Sequence, residues 1–245
     1  MNEPSRRPGG HSEELRDKAM TTSGVLTPAD GAVGSSETTR CIALPPGFVR
    51  LAEVAPGIVQ DIVYASPDNF TGRPVPGYEA ADCWLREEAA HALARVAARA
   101  EEQGVHLVVY DGYRPQRAVD AFVKWADDPT DELAKAAYYP DTDKSRLIAE
   151  GYIGLSSFHS TGLAVDVGLL ARDKAALDFG TPFDFFGPRS ATAHPAIGDG
   201  ARINRLRLLG LMEAESFENY PREWWHFRLC GFAPAPAYDL AICRP

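Results

Sequence analysis

The chain has 245 residues, of which 45% are hydrophobic and 24% charged, the balance of a globular protein long enough to bury its own core. Its 25 Lys and Arg against 34 Asp and Glu give a net charge of −9 with no basic block, which argues against gripping nucleic-acid phosphates or an anionic bilayer. No stretch approaches the ~20 apolar residues of a membrane span.

In chain order, residues 1–40 are rich in Ser, Thr, Gly and Pro and lack any aromatic residue, so a disordered tail is expected there and one folded domain over 41–245. Arg6 and Arg7 are not followed by an apolar run, so no secretory signal is expected and a cytoplasmic location is the default. Residues 48–64 read as short strands broken at Pro56-Gly57, followed by a turn-rich stretch. Leu85, Ala89, Leu93 and Val96 recur at helical spacing, predicting a helix over 85–103 that Gly104 stops. A buried strand is expected at 105–110, and Pro115 suits the start of a helix continuing over 116–126. Shorter helices are expected at 130–137 and 143–150, a strand at 163–169, a helix at 202–216 and a late strand at 224–229. Helices and strands alternate without a regular βαβ rhythm, which favours an α+β fold with an antiparallel or mixed sheet. Cys41, Cys83, Cys230 and Cys243 form no CxxC pair and are expected to be isolated thiols.

Three segments place polar side chains where a core pattern would want apolar ones. In the first, His159 and Asp166 are separated by seven positions, and Ser160-Thr161-Gly162 supplies a turn that can bring them together. Asp166 lies in an apolar run, so its carboxylate must be paired or bind a cation. By itself such a pair is more often a hydrogen-bonded structural pair than a metal site. In the second, Pro221–Leu229, a strand puts His226 on one face with Trp224 and Arg228, and Glu223 needs a bend to approach the same point. The bland reading is a His packed between tryptophans with Glu223 on the surface. In the third, Asp111-Gly112-Tyr113-Arg114 leads from a strand into a helix and presents Arg114 on a loop, where an arginine commonly serves as a cap or ion-pair partner. Combined, two imidazoles, a carboxylate and a separate Glu are the parts of a catalytic zinc site. HExxH, GxSxG, P-loop and GxGxxG motifs are absent. Of the other histidines, His194 alone is kept as a candidate to support the site from behind.

The run Ser157-Phe158-His159 through Asp166, followed by Glu223-Trp224-Trp225-His226, fits SxHxxxxxxD…ExxH, and the chain resembles the zinc D-alanyl-D-alanine dipeptidases associated with vancomycin resistance. The likeness extends in order through residues 68–79, 111–119, 138–140, 181–186 and 204–209. It implies a small α+β domain with one zinc held by His159, Asp166 and His226, Glu223 as general base and Arg114 as oxyanion stabiliser. Asp184 and Tyr64 are implied to receive the amino terminus of a small dipeptide, with Ser157 also against the substrate. Thr161 stands where the familiar pattern has Arg and Leu163 where it has Ser, which puts the preferred dipeptide in question. Two alternatives remain open at this point: a peptidoglycan D,D-carboxypeptidase or endopeptidase of the same chemistry, and a non-catalytic zinc-binding module.

Overall fold

Asp166 is the one charged residue in a strand whose seven positions are all buried, and the sheet around that strand organises the molecule. The computed structural model describes residues 44–232 and 235–244; the tail expected at 1–40 lies outside them. Strand β1 (Phe48–Arg50) pairs antiparallel with β3 (Trp84–Arg86) in a small separate sheet. Between them the chain makes a single helical turn, α1 (Leu51–Val54), and a short strand, β2 (Val59–Gln60). The run at 48–64 is therefore only partly strand: coiling at α1 lets Leu51 become fully buried.

Helix α2 (Glu87–Glu102) opens on Glu87 and Glu88, favourable at the positive end of the helix dipole. It buries Ala89, Leu93, Val96 and Ala100 and ends before Gly104, whose φ of 74° suits glycine. Strand β4 (His106–Asp111) follows, then α3 (Gln116–Asp127), with Pro115 at its N-cap. The two short helices expected next shrink to α4 (Lys135–Tyr138) and a 3₁₀ turn at Lys144–Arg146. In this stretch the buried Lys144 ammonium ties the chain to an earlier loop, donating to the carbonyls of Asp128 and Asp131, both at 2.7 Å. Strand β5 (Ala164–Leu170), helix α5 (Asp199–Glu213) and strands β6 (Phe217–Asn219) and β7 (His226–Leu229) complete the chain.

The main sheet has the order β2-β4-β5-β7-β6; only β2–β4 is parallel. This is the mixed sheet of an α+β fold, as expected. Central β5 is flanked by β4 and β7, which accounts for its near-continuous apolar sequence. In the β4–β5 ladder Val109 faces Val167 but Asp111 faces Asp166, so Tyr110 is the extra residue of a bulge. Asp166 in turn faces His226 on β7. The register thus sets Asp111, Asp166 and His226 in one row across three strands.

The C-terminal segment folds back over the start of α3 and the stretch around Gly77: Ile242 N–H donates to the Gly77 carbonyl at 2.8 Å, and Gln116 N–H to that of Tyr238 at 3.0 Å. Cys83 and Cys230 are free thiols, but Cys243 is disulfide-bonded, which corrects the expectation of isolated thiols. Linear spacing carries no information on cysteines that meet only through folding. Among the described residues, no helix is long and apolar enough to cross a membrane.

Candidate metal centre and active-site cleft

His159 reaches the site through a tight turn. The Ser157 hydroxyl accepts the His159 N–H at 3.2 Å and caps a 3₁₀ turn over Phe158–Thr161, which Gly162 ends at φ 75°. A side chain at 162 would also lie about 2.4 Å from the Phe48 ring. The turn expected at 160–162 is present, and it brings His159 Nε2 to 3.3 Å from Asp166 Oδ1.

His226 joins them from β7: its Nδ1 is 3.0 Å from Asp166 Oδ1 and 3.1 Å from His159 Nε2. These three atoms test whether a zinc ion fits. Donors ~2.0–2.1 Å from a tetrahedral ion lie roughly 3.3 Å apart, so separations of 3.0–3.3 Å match the edges of such a polyhedron. The fully buried His159 bonds through Nδ1 to the Gly112 carbonyl at 2.7 Å, leaving Nε2 as the nitrogen with a lone pair for a metal. Burial holds the His226 imidazole below its ordinary range, with Asp166 opposing, which favours the neutral form a metal ligand needs. Burial pushes the Asp166 carboxyl up, but His159 and His226 outweigh it and hold the group well below the usual carboxylate range. Among the described residues this is the one cluster of three such side chains with ligand atoms mutually close.

Glu223 reaches the same cleft because the chain turns twice: its N–H donates to the Tyr220 carbonyl at 2.9 Å, and the His226 N–H to its own carbonyl at 3.3 Å. Asn219 Nδ2 secures both turns by donating to the carbonyls of Glu223 (3.0 Å) and His226 (2.9 Å). The strand starts only at His226, so the expectation of Trp224 and His226 sharing a strand face is corrected. Trp224 is drawn away to stack on Phe179 at 4.0 Å and donate to Thr181 Oγ1. Glu223 is buried, not on the surface.

Arg114 enters on the β4–α3 loop, donates through Nε to Asp111 Oδ2 at 2.9 Å and through Nη2 to Asp166 Oδ2 at 3.2 Å, and is flanked by the rings of Tyr64 and Phe122. At another wall, Asp184 is buried and accepts the Tyr64 hydroxyl at 2.8 Å. Its φ of 59° is left-handed, a strained setting for a residue other than glycine. Burial, then the charge of Asp166, push the Asp184 carboxyl well above its ordinary range, and burial with Asp184 does the same to the Tyr64 phenol. His159, Asp166, His226, Glu223, Arg114, Asp184, Tyr64 and Ser157 all line one cavity, with Phe70, Phe122, Tyr152 and Trp225 among its apolar walls. His194 does not line it; its Nδ1 accepts the Ala196 N–H two residues on, capping its own turn.

Two residues of this neighbourhood were not singled out from sequence. Asp111 is fully buried beneath Arg114, and the available signal was an acid ending the apolar run of β4 three positions before an arginine. Arg205 of α5, 1% exposed, donates to the carbonyls of Phe179, Ala191 and Arg189 and so holds the loop carrying Asp184. Nothing local in a helical RxR pattern distinguishes such a clamp from a surface charge.

A His–Asp–His set with an acid and an arginine in one cleft, on a mixed sheet flanked by helices, defines a metallopeptidase. Residues 45–242 match the Peptidase_M15 family model described as D-ala-D-ala dipeptidase, and the chain belongs to this family. The D-alanyl-D-alanine dipeptidase of Enterococcus faecium is 42% identical over 184 residues, covering 75% of this chain and 91% of that one. The enzyme of the same name from Streptomyces coelicolor is 38% identical over 183 residues (74% and 91% covered). That from Escherichia coli K12 is 34% identical over 189 residues (77% and 88% covered).

Proposed function

We propose that the protein hydrolyses D-alanyl-D-alanine, or a close D-containing dipeptide, to free amino acids, with one zinc ion per chain held by His159, Asp166 and His226. The observation that carries this reading is the set of three donor atoms 3.0–3.3 Å apart in a cavity that also admits Glu223, Arg114 and Asp184. Zinc bound there supplies a Lewis acid that makes water acidic enough to attack near neutral pH. Glu223 takes the proton of the attacking water and returns it to the leaving amine. Arg114 faces the carbonyl oxygen as negative charge develops on it; a fixed donor at such a point contributes ~3–4 kcal/mol to lowering the barrier. Asp184, held by Tyr64, receives the substrate ammonium, and Ser157 lies against the substrate beside His159. The assigned domain runs from 41 to 245.

The dipeptide is favoured over a longer wall peptide because the residues proposed to bind the ammonium are closely surrounded. Tyr64 is 1% and Asp184 5% exposed, and Phe122 packs against Tyr64 at 5.0 Å, which leaves little room for a chain extended beyond its amino terminus. The buried Glu223 and the partly buried Arg114 are superfluous to a purely structural zinc, which disfavours a non-catalytic module.

The test is a panel of dipeptides varying in stereochemistry and side-chain size, with and without chelator, in competition with a pentapeptide stem. Chelator-sensitive release of D-alanine from D-Ala-D-Ala is expected; faster cleavage of the pentapeptide would overturn the dipeptidase assignment. A cytoplasmic location is part of this proposal, whereas the disulfide at Cys243 favours an oxidising compartment. Thiol labelling of Cys243 in freshly lysed cells decides between them.

A further inference from the structure

We propose that Asp111 is a positioning residue for turnover: it locks the Arg114 guanidinium in place and acts through Arg114, not through the metal. The proposal rests on the dipeptidase reading above. The β4 bulge at Tyr110 is what turns Asp111 into line with Asp166 and His226, and bulges beside active sites commonly re-aim a side chain in this way. Once there, Asp111 is fully buried and has work for both oxygens. Oδ1 accepts the Tyr78 hydroxyl at 2.7 Å, and Oδ2 accepts Arg114 Nε at 2.9 Å. Arg114 Nη2 lies 2.9 Å from the same Oδ2 and 3.2 Å from Asp166 Oδ2. An arginine on a loop would otherwise sample many rotamers; here one edge of its planar fork is seated on a carboxylate that is itself held by Tyr78.

The alternative route, through the metal ligand His159, is the weaker one on geometry. His159 Nδ1 is 3.5 Å from Asp111 Oδ2 but only 2.7 Å from the Gly112 carbonyl. The main chain therefore orients the imidazole, and that orientation survives loss of the Asp111 charge. A residue that merely supported the fold would disturb zinc binding and stability alike. A residue acting through Arg114 would leave zinc in place and lose its effect once Arg114 is gone.

Wild type, Asp111→Asn, Arg114→Ala and the double variant would be compared for D-Ala-D-Ala turnover, zinc content and zinc affinity. Asp111→Asn is expected to lower kcat about 10- to 100-fold, the usual range for a supporting carboxylate, with KM and zinc affinity nearly unchanged. In the Arg114→Ala background the same substitution should cost nothing further, the non-additivity expected of two groups acting as one unit. If wild type fails to release D-alanine, the dipeptidase reading falls, and this proposal with it. If wild type is active, then unimpaired Asp111→Asn, multiplicative losses in the double variant, or loss of zinc each overturns the positioning role alone. Should Asp111→Asn not fold, Tyr78→Phe removes a single bond from Asp111. A roughly fivefold fall in kcat is then expected that vanishes in the Arg114→Ala background; a fall that persists there overturns the proposal.

Discussion

Asp166 and His226 stand directly opposite each other on β5 and β7, and their Oδ1 and Nδ1 atoms lie 3.0 Å apart. Two of the three proposed zinc ligands are therefore juxtaposed by strand register, and the third is carried in by a capped turn.

It follows that the sheet holds the ligands without help from the ion. A chelator should abolish dipeptide hydrolysis while far-UV circular dichroism stays at the untreated signal, and added zinc should restore activity. Unfolding on metal removal, as in small domains that fold only around zinc, would contradict this account.

For Glu223, the role of proton carrier predicts a sharp separation of binding from chemistry. Glu223→Gln should keep about one zinc per chain and lose ~10²- to 10⁴-fold in kcat. Metal content and D-alanine release, measured on the same sample, check both halves.

Asp184 gives a pH signature. Its carboxyl is held well above the ordinary carboxylate range of about 4 by burial and by Asp166, so it takes up a proton at a higher pH than an exposed Asp does. The protonated form cannot pair with an ammonium. KM for the dipeptide should rise on acidification while the pH is still above 4, and Asp184→Asn should show a high KM that is flat over the same window. Michaelis constants across a pH series test this; a flat wild-type profile would refute the assignment.

Away from the site, Glu215 accepts hydrogen bonds from Arg95 at 2.6 Å and Arg99 at 2.7 Å, and these hold its carboxyl below the usual range. The resulting stability is present above the unfolded value of ~4.3 and is lost as pH falls through the lowered folded value. Both arginines are more than half exposed, so Glu215→Gln should cost only about 1 kcal/mol at pH 7. Urea unfolding should show that difference fading toward pH 3.

Gly162→Ala should cost about 1–3 kcal/mol, since the position combines left-handed backbone with a Phe48 ring about 2.4 Å from the new methyl. The turn that delivers His159 would be displaced, so zinc affinity should fall together with stability. Thermal melts and competitive zinc titration report the two effects separately.

Asp166 was legible in the sequence because a carboxylate in an apolar strand is costly to bury without a partner, whereas the ligand set of His159, Asp166 and His226 came from the resemblance to the zinc dipeptidases. Helix α2 was legible from its periodicity, and the turn at 160–162 from its glycine. What escaped was whatever depends on distant partners. Lys144 is tied to the carbonyls of Asp128 and Asp131 where a regular helix was expected, and Trp224 leaves its expected strand for Phe179. Asp111 gains its place from a bulge that no local pattern announces, and nothing in the linear spacing of the cysteines marks Cys243 as bonded.

The bulge at Tyr110 also bears on transplanting this chemistry. Because side chains alternate along a strand, slipping β5 by one position against its neighbours would turn Asp166 away from His226. An engineer grafting the centre into a foreign scaffold would have to copy three adjoining strands with their irregularity, and copying the ligand side chains alone would yield an inert surface.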